Sequence, residues 1–356
     1  MGIFRRHILP WSLAFFVLGF VLLYEVPTFS QLPYLVDAGV QRVILTAATF
    51  VMVWLLGGAS VLKPSLVGVR SALREAGYPV IVSLALCGLD LVADASIVAT
   101  YGTSILSSTW LLNIFEALFL CVFVGLFEEG LVRVLLFCGI LSRGGGSRNG
   151  LVVAAFVSSL VFGAIHVLPV RGTIDNLLLV QMLLKTVQAG LIGLLLASTF
   201  LRTHSYYGVA LVHCLADFLL FVPEVIFDTV GTSGGYVSQT GGIEAIVFIV
   251  SYVFAVVLYL PAVFKSMRLL DDALVPDYGC FVECWVPRES EAFVPNASPL
   301  PPDGLAPAPV PAPAPSPLSS QGFPSAPVPL PPSQTAPGES TQRRMVPQYP
   351  PGWPRG

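Results

Sequence analysis

Long apolar runs broken by short polar punctuation dominate the chain up to about residue 275. A helix crossing the hydrocarbon of a bilayer needs about 20 largely apolar residues. Eight stretches meet or approach that length, near 8–25, 40–62, 79–100, 105–127, 150–168, 177–201, 207–222 and 243–264. The fourth is expected to continue as helix to about residue 141. The pattern therefore predicts an all-α, polytopic membrane protein with about eight transmembrane helices. The first stretch follows Arg5 and Arg6 and lacks a small-residue cleavage site before Pro27, so it reads as an uncleaved anchor.

The distribution of basic residues predicts an orientation. With the N-terminus inside, the inner segments carry Arg5, Arg6, Lys63, Arg70, Arg74, Arg143, Arg148, Arg202, Lys265 and Arg268, whereas the outer loops carry Arg171 and little else. Lys and Arg favour the cytoplasmic side, so both termini are expected there, in a multi-pass protein of the cell membrane. Beyond the last stretch the composition changes: 21 of the 30 prolines lie between Pro287 and the C-terminus. That tail has too little hydrophobic content to offset chain entropy and is expected to be disordered or polyproline-like, either a solvated spacer or a docking segment for a proline-recognising partner. Three segments follow: a transmembrane hairpin at 1–74, a core at 75–275 and a cytoplasmic tail at 276–356.

Composition narrows the class further. Hydrophobic residues make up 55% of the chain and charged residues only 11%, with a mean hydropathy of +0.80. So few charges could not cover the surface of a water-soluble globule. The net charge of -3 offers no basic face for nucleic acid. Four of the six cysteines lie in or beside the apolar stretches and act there as small apolar residues. Cys280 and Cys284 have no second pair or histidine nearby to complete a zinc site, which leaves juxtamembrane acylation as their sharper reading.

An ionisable side chain at the bilayer centre costs about 2.5–3.5 kcal/mol on insertion scales, so each one calls for a functional explanation. The densest set is Glu128, Glu129 and Arg133 on the fourth helix, His166 on the fifth, and His213 and Asp217 on the seventh. Adjacent helical residues point about 100° apart, whereas i,i+4 residues share a face. Glu129 and Arg133 are therefore expected to form a structural ion pair, leaving Glu128 free to face a cavity as a general base. His213 and Asp217 share one face, and Phe162 lies one turn before His166. An acid and two imidazoles from three helices could deprotonate a water and stabilise an oxyanion, which suggests amide hydrolysis.

Glu128-Glu129-x3-Arg133, Phe162-x3-His166 and His213-x3-Asp217, in that order, resemble the three motifs of the CaaX protease and bacteriocin-processing (CPBP) family of intramembrane proteases. The resemblance covers roughly residues 75–222 and implies a type II CaaX prenyl endopeptidase-like hydrolase. Eukaryotic members of that family remove the last three residues of prenylated CaaX proteins, and bacterial members are tied to peptide processing or bacteriocin immunity. Carried over by position, Glu128 would activate the water with help from His166, while His213 and Asp217 would stabilise the oxyanion. The last position is often asparagine in the family; an ionised aspartate only accepts hydrogen bonds, so Asp217 must be protonated or act by orienting His213.

Glu128, His166 and His213 are also a plausible zinc set, but no HExxH helix is present and the resemblance favours a metal-independent site without cofactor. The expected substrate is a membrane-associated peptide or lipidated protein met at the bilayer. One difficulty is depth: His166 lies about 25 Å along its helix from the cytoplasmic end, at about 1.5 Å per residue, whereas His213 lies near the start of its own. Asp90, Asp94, Glu116, Lys185, Gln181 and Gln188 read as interhelical partners, for instance Glu116 with Lys185, or as the polar path of a proton-coupled transporter. A non-enzymatic immunity or scaffold protein is the remaining alternative.

Overall fold

The computed structural model describes residues 2–29, 31–101, 107–144, 147–168, 174–227, 237–238, 242–273, 278–281 and 285. The Pro-rich tail from 286, Cys284, Arg171 and the side chain of Asp94 lie outside them. The described residues are helical and contain no β-strand. In chain order the helices are α1 (Gly2–Arg6), α2 (Ile8–Glu25), α3 (Tyr34–Leu55), α4 (Leu66–Ala76), α5 (Tyr78–Tyr101), α6 (Trp110–Glu129), α7 (Cys138–Gly144), α8 (Arg148–Ile165), α9 (Asn176–Thr203), α10 (Tyr206–Ile226) and α11 (Gly242–Asp271). A π-helical stretch, Gly130–Phe137, joins α6 to α7, so one apolar rod runs from Trp110 to Arg143 as the fourth stretch requires.

Seven of these helices are long and apolar enough to cross a membrane, and α4 with the first part of α5, bent by 62°, supplies an eighth if the pair is one span. Rows of large apolar side chains stay exposed, such as Leu13, Val17 and Val21 on α2 and Val247, Val250 and Phe254 on α11. Such rows suit acyl chains and would be a liability in water. The second span begins before its expected start at 40, because Pro33 sets the extended backbone from which α3 departs at Tyr34. It also stops early. Gly57 takes a φ of 91°, a left-handed conformation that suits glycine after a helix end, and the chain continues as a 3-10 turn over Ala59–Leu62.

Side-chain caps fix where the site-bearing helices start. Ser147 accepts from the Gly150 amide, Asp175 from Leu178 and Ser205 from Gly208, each satisfying one of the amides left unpaired in a first helical turn. Two glycines set the closest helix approaches. A Cβ at Gly163 of α8 would stand 2.1 Å from the Thr186 carbonyl oxygen of α9, and one at Gly125 of α6 would stand 2.5 Å from the Ala210 carbonyl oxygen of α10. Small residues let backbones meet where lipid gives no hydrophobic drive between helices. α2 is tied to the π-helical stretch by the Ser12 hydroxyl, which donates to the Leu135 carbonyl.

Candidate active site

The close contact at Gly125 brings the end of α6 against α10, and the contact at Gly163 holds α8 against α9. Together with α3, α5 and α11 these four helices meet around one cavity of about 430 Å³, lined by Glu128, His166, Lys185, His213 and Asp217 among others. This volume falls in the range of ligand pockets, about 300–1,000 Å³. The expected convergence of an acid and two imidazoles is present. So is the depth match, since the Phe162 ring packs edge-on against both His166, at 4.8 Å between centroids, and His213, at 5.6 Å.

Beneath the cavity floor lies a fully buried ion pair. Arg133 Nε donates to Glu129 Oε2 at 2.8 Å, both side chains having no solvent exposure. Two buried charges are tolerated only when paired in good geometry. The Arg133 guanidinium also faces the Phe162 ring, 4.8 Å from its centroid, a cation–π contact that ties the ion pair to the aromatic side chain between the histidines. The sequence pattern anticipates the Glu129–Arg133 pair, but not that Glu129 has a second task. Its Oε1 lies 2.9 Å from His213 Nδ1, across helices 84 residues apart in sequence.

His213 is therefore held on both sides. Nδ1 faces Glu129, and Nε2 lies 3.1 Å from Asp217 Oδ2, one helical turn along α10. Glu128 Oε2 stands 3.8 Å from the same Nε2. That buried oxygen makes no hydrogen bond among the described residues. His166 is oriented by its own helix end, with Nδ1 2.7 Å from the Phe162 carbonyl oxygen. No three His, Cys, Asp or Glu side chains among the described residues form a metal-ligand set.

Two expectations need correction and one residue was missed. Lys185 Nζ donates to Gln188 Oε1 at 3.1 Å on its own helix, and no ion pair joins it to Glu116 among the described residues. A three-residue reach along α9 is shorter than one across to α6. Gln181 bonds the Ser238 backbone rather than a neighbouring span. The missed residue is Arg42 of α3, which also lines the cavity. Its signal was present as the one basic side chain inside the second apolar stretch, hidden because that span was expected to start only two residues earlier.

A polar chamber of carboxylates and imidazoles thus sits within a bundle of membrane-length helices. Residues 109–219 match the family described as type II CAAX prenyl endopeptidase Rce1-like. The matched segment is 111 of the 356 residues, and the family it resembles is a protease family, which supports a hydrolase role. It spans all seven motif residues, Glu128, Glu129, Arg133, Phe162, His166, His213 and Asp217. No curated protein and no solved structure matches the chain.

Proposed function

We propose that this chain is an intramembrane endopeptidase that cuts membrane-associated peptides or lipidated proteins near their C-termini, with Glu128 as the general base. The observation that carries the reading is the buried Glu128 Oε2, which faces the cavity without a hydrogen-bond partner among the described residues. A carboxylate oxygen kept without a hydrogen bond inside a membrane bundle is costly, and proton abstraction from a bound water gives it a use.

In this mechanism a water lies between Glu128 and His166 Nε2. Glu128 takes its proton as the hydroxide oxygen attacks the scissile carbonyl carbon, and the carbonyl oxygen becomes an oxyanion. His213 Nε2 lies 3.8 Å from Glu128 Oε2, and in this reading its N–H is shared between Asp217 and that developing charge. Collapse of the intermediate breaks the C–N bond, and Glu128 returns its proton to the leaving amine. Asp217, at hydrogen-bond distance from His213 Nε2, acts by orienting the ring. Both termini face the cytoplasm in this reading, and no cofactor takes part.

The test is cleavage of a farnesylated CaaX-type peptide by the purified protein in detergent, followed by mass spectrometry of the released tripeptide. Wild-type cleavage that disappears in Glu128→Gln supports the assignment. Equal cleavage by Glu128→Gln would remove the general-base assignment, and no cleavage by either protein would leave the chain as a non-catalytic membrane protein.

A further inference from the structure

Seven charged or imidazole side chains line the cavity: Arg42, Glu128, His166, Lys185, His213, Asp217 and Glu224. The mechanism uses four of them and leaves Arg42, Lys185 and Glu224. Lys185 is held by Gln188 and lies 5.7 Å from the centroid of the Tyr252 ring. Arg42 is different. Its Cζ sits 5.9 Å from the Phe127 ring centroid, its Nε is buried without a hydrogen bond, and no carboxylate of the described residues forms an ion pair with it. A guanidinium is always charged and presents a rigid fork matched to a carboxylate. Held inside a membrane helix bundle with only the general base Glu128 acting on its charge, and no carboxylate of the described residues within ion-pair distance, it is a cost that a bound anion would offset.

We infer that Arg42 is the anchor for the free carboxylate at the C-terminus of the substrate peptide. The inference rests on the endopeptidase reading above and adds what selects the substrate. The cavity wall on α10 runs from Val212 to Glu224, about 18 Å at about 1.5 Å per residue. Three residues beyond a scissile bond span about 10 Å when extended, so a C-terminal tripeptide fits within that length. On α3 the lining residues Tyr34, Ala38 and Arg42 recur every four positions and form one face of the cavity. Arg42 ends this stripe beside Phe127, the neighbour of Glu128. It lies outside the matched segment 109–219, so the N-terminal helices would supply specificity to chemistry held by the family core.

The experiment compares a farnesylated CaaX peptide with a free C-terminal carboxylate and the same peptide as a C-terminal amide. Binding of each to the Glu128→Gln protein is read by fluorescence anisotropy, and cleavage of each by wild type is read by mass spectrometry. A preference for the acid of about tenfold or more is expected in both, lost in Arg42→Gln and partly kept in Arg42→Lys. Equal handling of acid and amide by protein carrying Arg42 overturns the inference while leaving the peptidase reading intact, and needs no Arg42 variant to fold. Equal loss on both peptides in a well-folded Arg42→Gln makes the residue structural and overturns it too. If wild type cleaves neither peptide and Glu128→Gln binds neither, both readings fall.

Discussion

His213 and Glu129 meet at 2.9 Å, joining α10 to the end of α6 inside the bundle. The same glutamate is bound to Arg133, so one carboxylate both neutralises a buried guanidinium and fixes an imidazole of the site. Glu129→Ala should therefore destabilise the protein by about 3–5 kcal/mol, because it leaves a buried charge without its partner. Thermal unfolding in detergent reads this loss, and an unchanged melting temperature would refute the buried pair.

Glu128→Ala and Glu128→Gln should behave oppositely to that neighbour. Cleavage should fall at least about 10²-fold, the range for loss of a general base, with the melting temperature held. His166→Ala should lower cleavage similarly, since its ring is bonded to the Phe162 carbonyl of its own helix end and faces the cavity. Circular dichroism with activity on the same samples separates these variants from unfolded ones.

Asp217→Asn distinguishes orientation from charge. An asparagine side chain still accepts from His213 Nε2 through its amide oxygen and adds a donor facing the cavity. Most activity should survive in Asp217→Asn and be lost in Asp217→Ala. Loss of the whole rate in Asp217→Asn would mean that the negative charge itself is needed.

Gly163→Leu should pry α8 from α9, because even a Cβ would meet the Thr186 carbonyl at 2.1 Å. Overpacking costs about 1–3 kcal/mol, and Phe162 and His166 ride on the displaced helix. Both the melting temperature and turnover should fall, whereas Gly88→Ala, whose Cβ would meet nothing within 4 Å, should change neither.

Chelation offers a further check on the chemistry. With Glu128 as base and no cofactor, cleavage should persist after exhaustive treatment with 1,10-phenanthroline and dialysis. Activity lost on chelation and restored by zinc would favour the ligand set Glu128, His166 and His213.

The spans and the polar motifs were legible in the sequence because both are local: apolar length marks a crossing, and i,i+4 spacing put Glu129 beside Arg133 and His213 beside Asp217. What links separate helices was not legible. The second bond of Glu129, to His213, depends on how far α6 slides along α10, which the backbone contact at Gly125 sets. The mismatch in depth between His166 and His213 vanished for the same reason, since helix offset and tilt are properties of packing. Arg42 escaped because its place in the cavity follows from α3 starting at Tyr34, a boundary fixed by one proline.

The π-helical stretch Gly130–Phe137 sits directly after the two glutamates, and each of its turns holds one residue more than an α-turn. Spacer length there is consequently constrained: adding one residue wound as α-helix would swing everything downstream by about 100°. Leu135 would then leave the Ser12 hydroxyl and α7 would rotate in its socket, while Glu128 upstream kept its heading. Homologous insertions and deletions should avoid this segment even where substitutions are accepted.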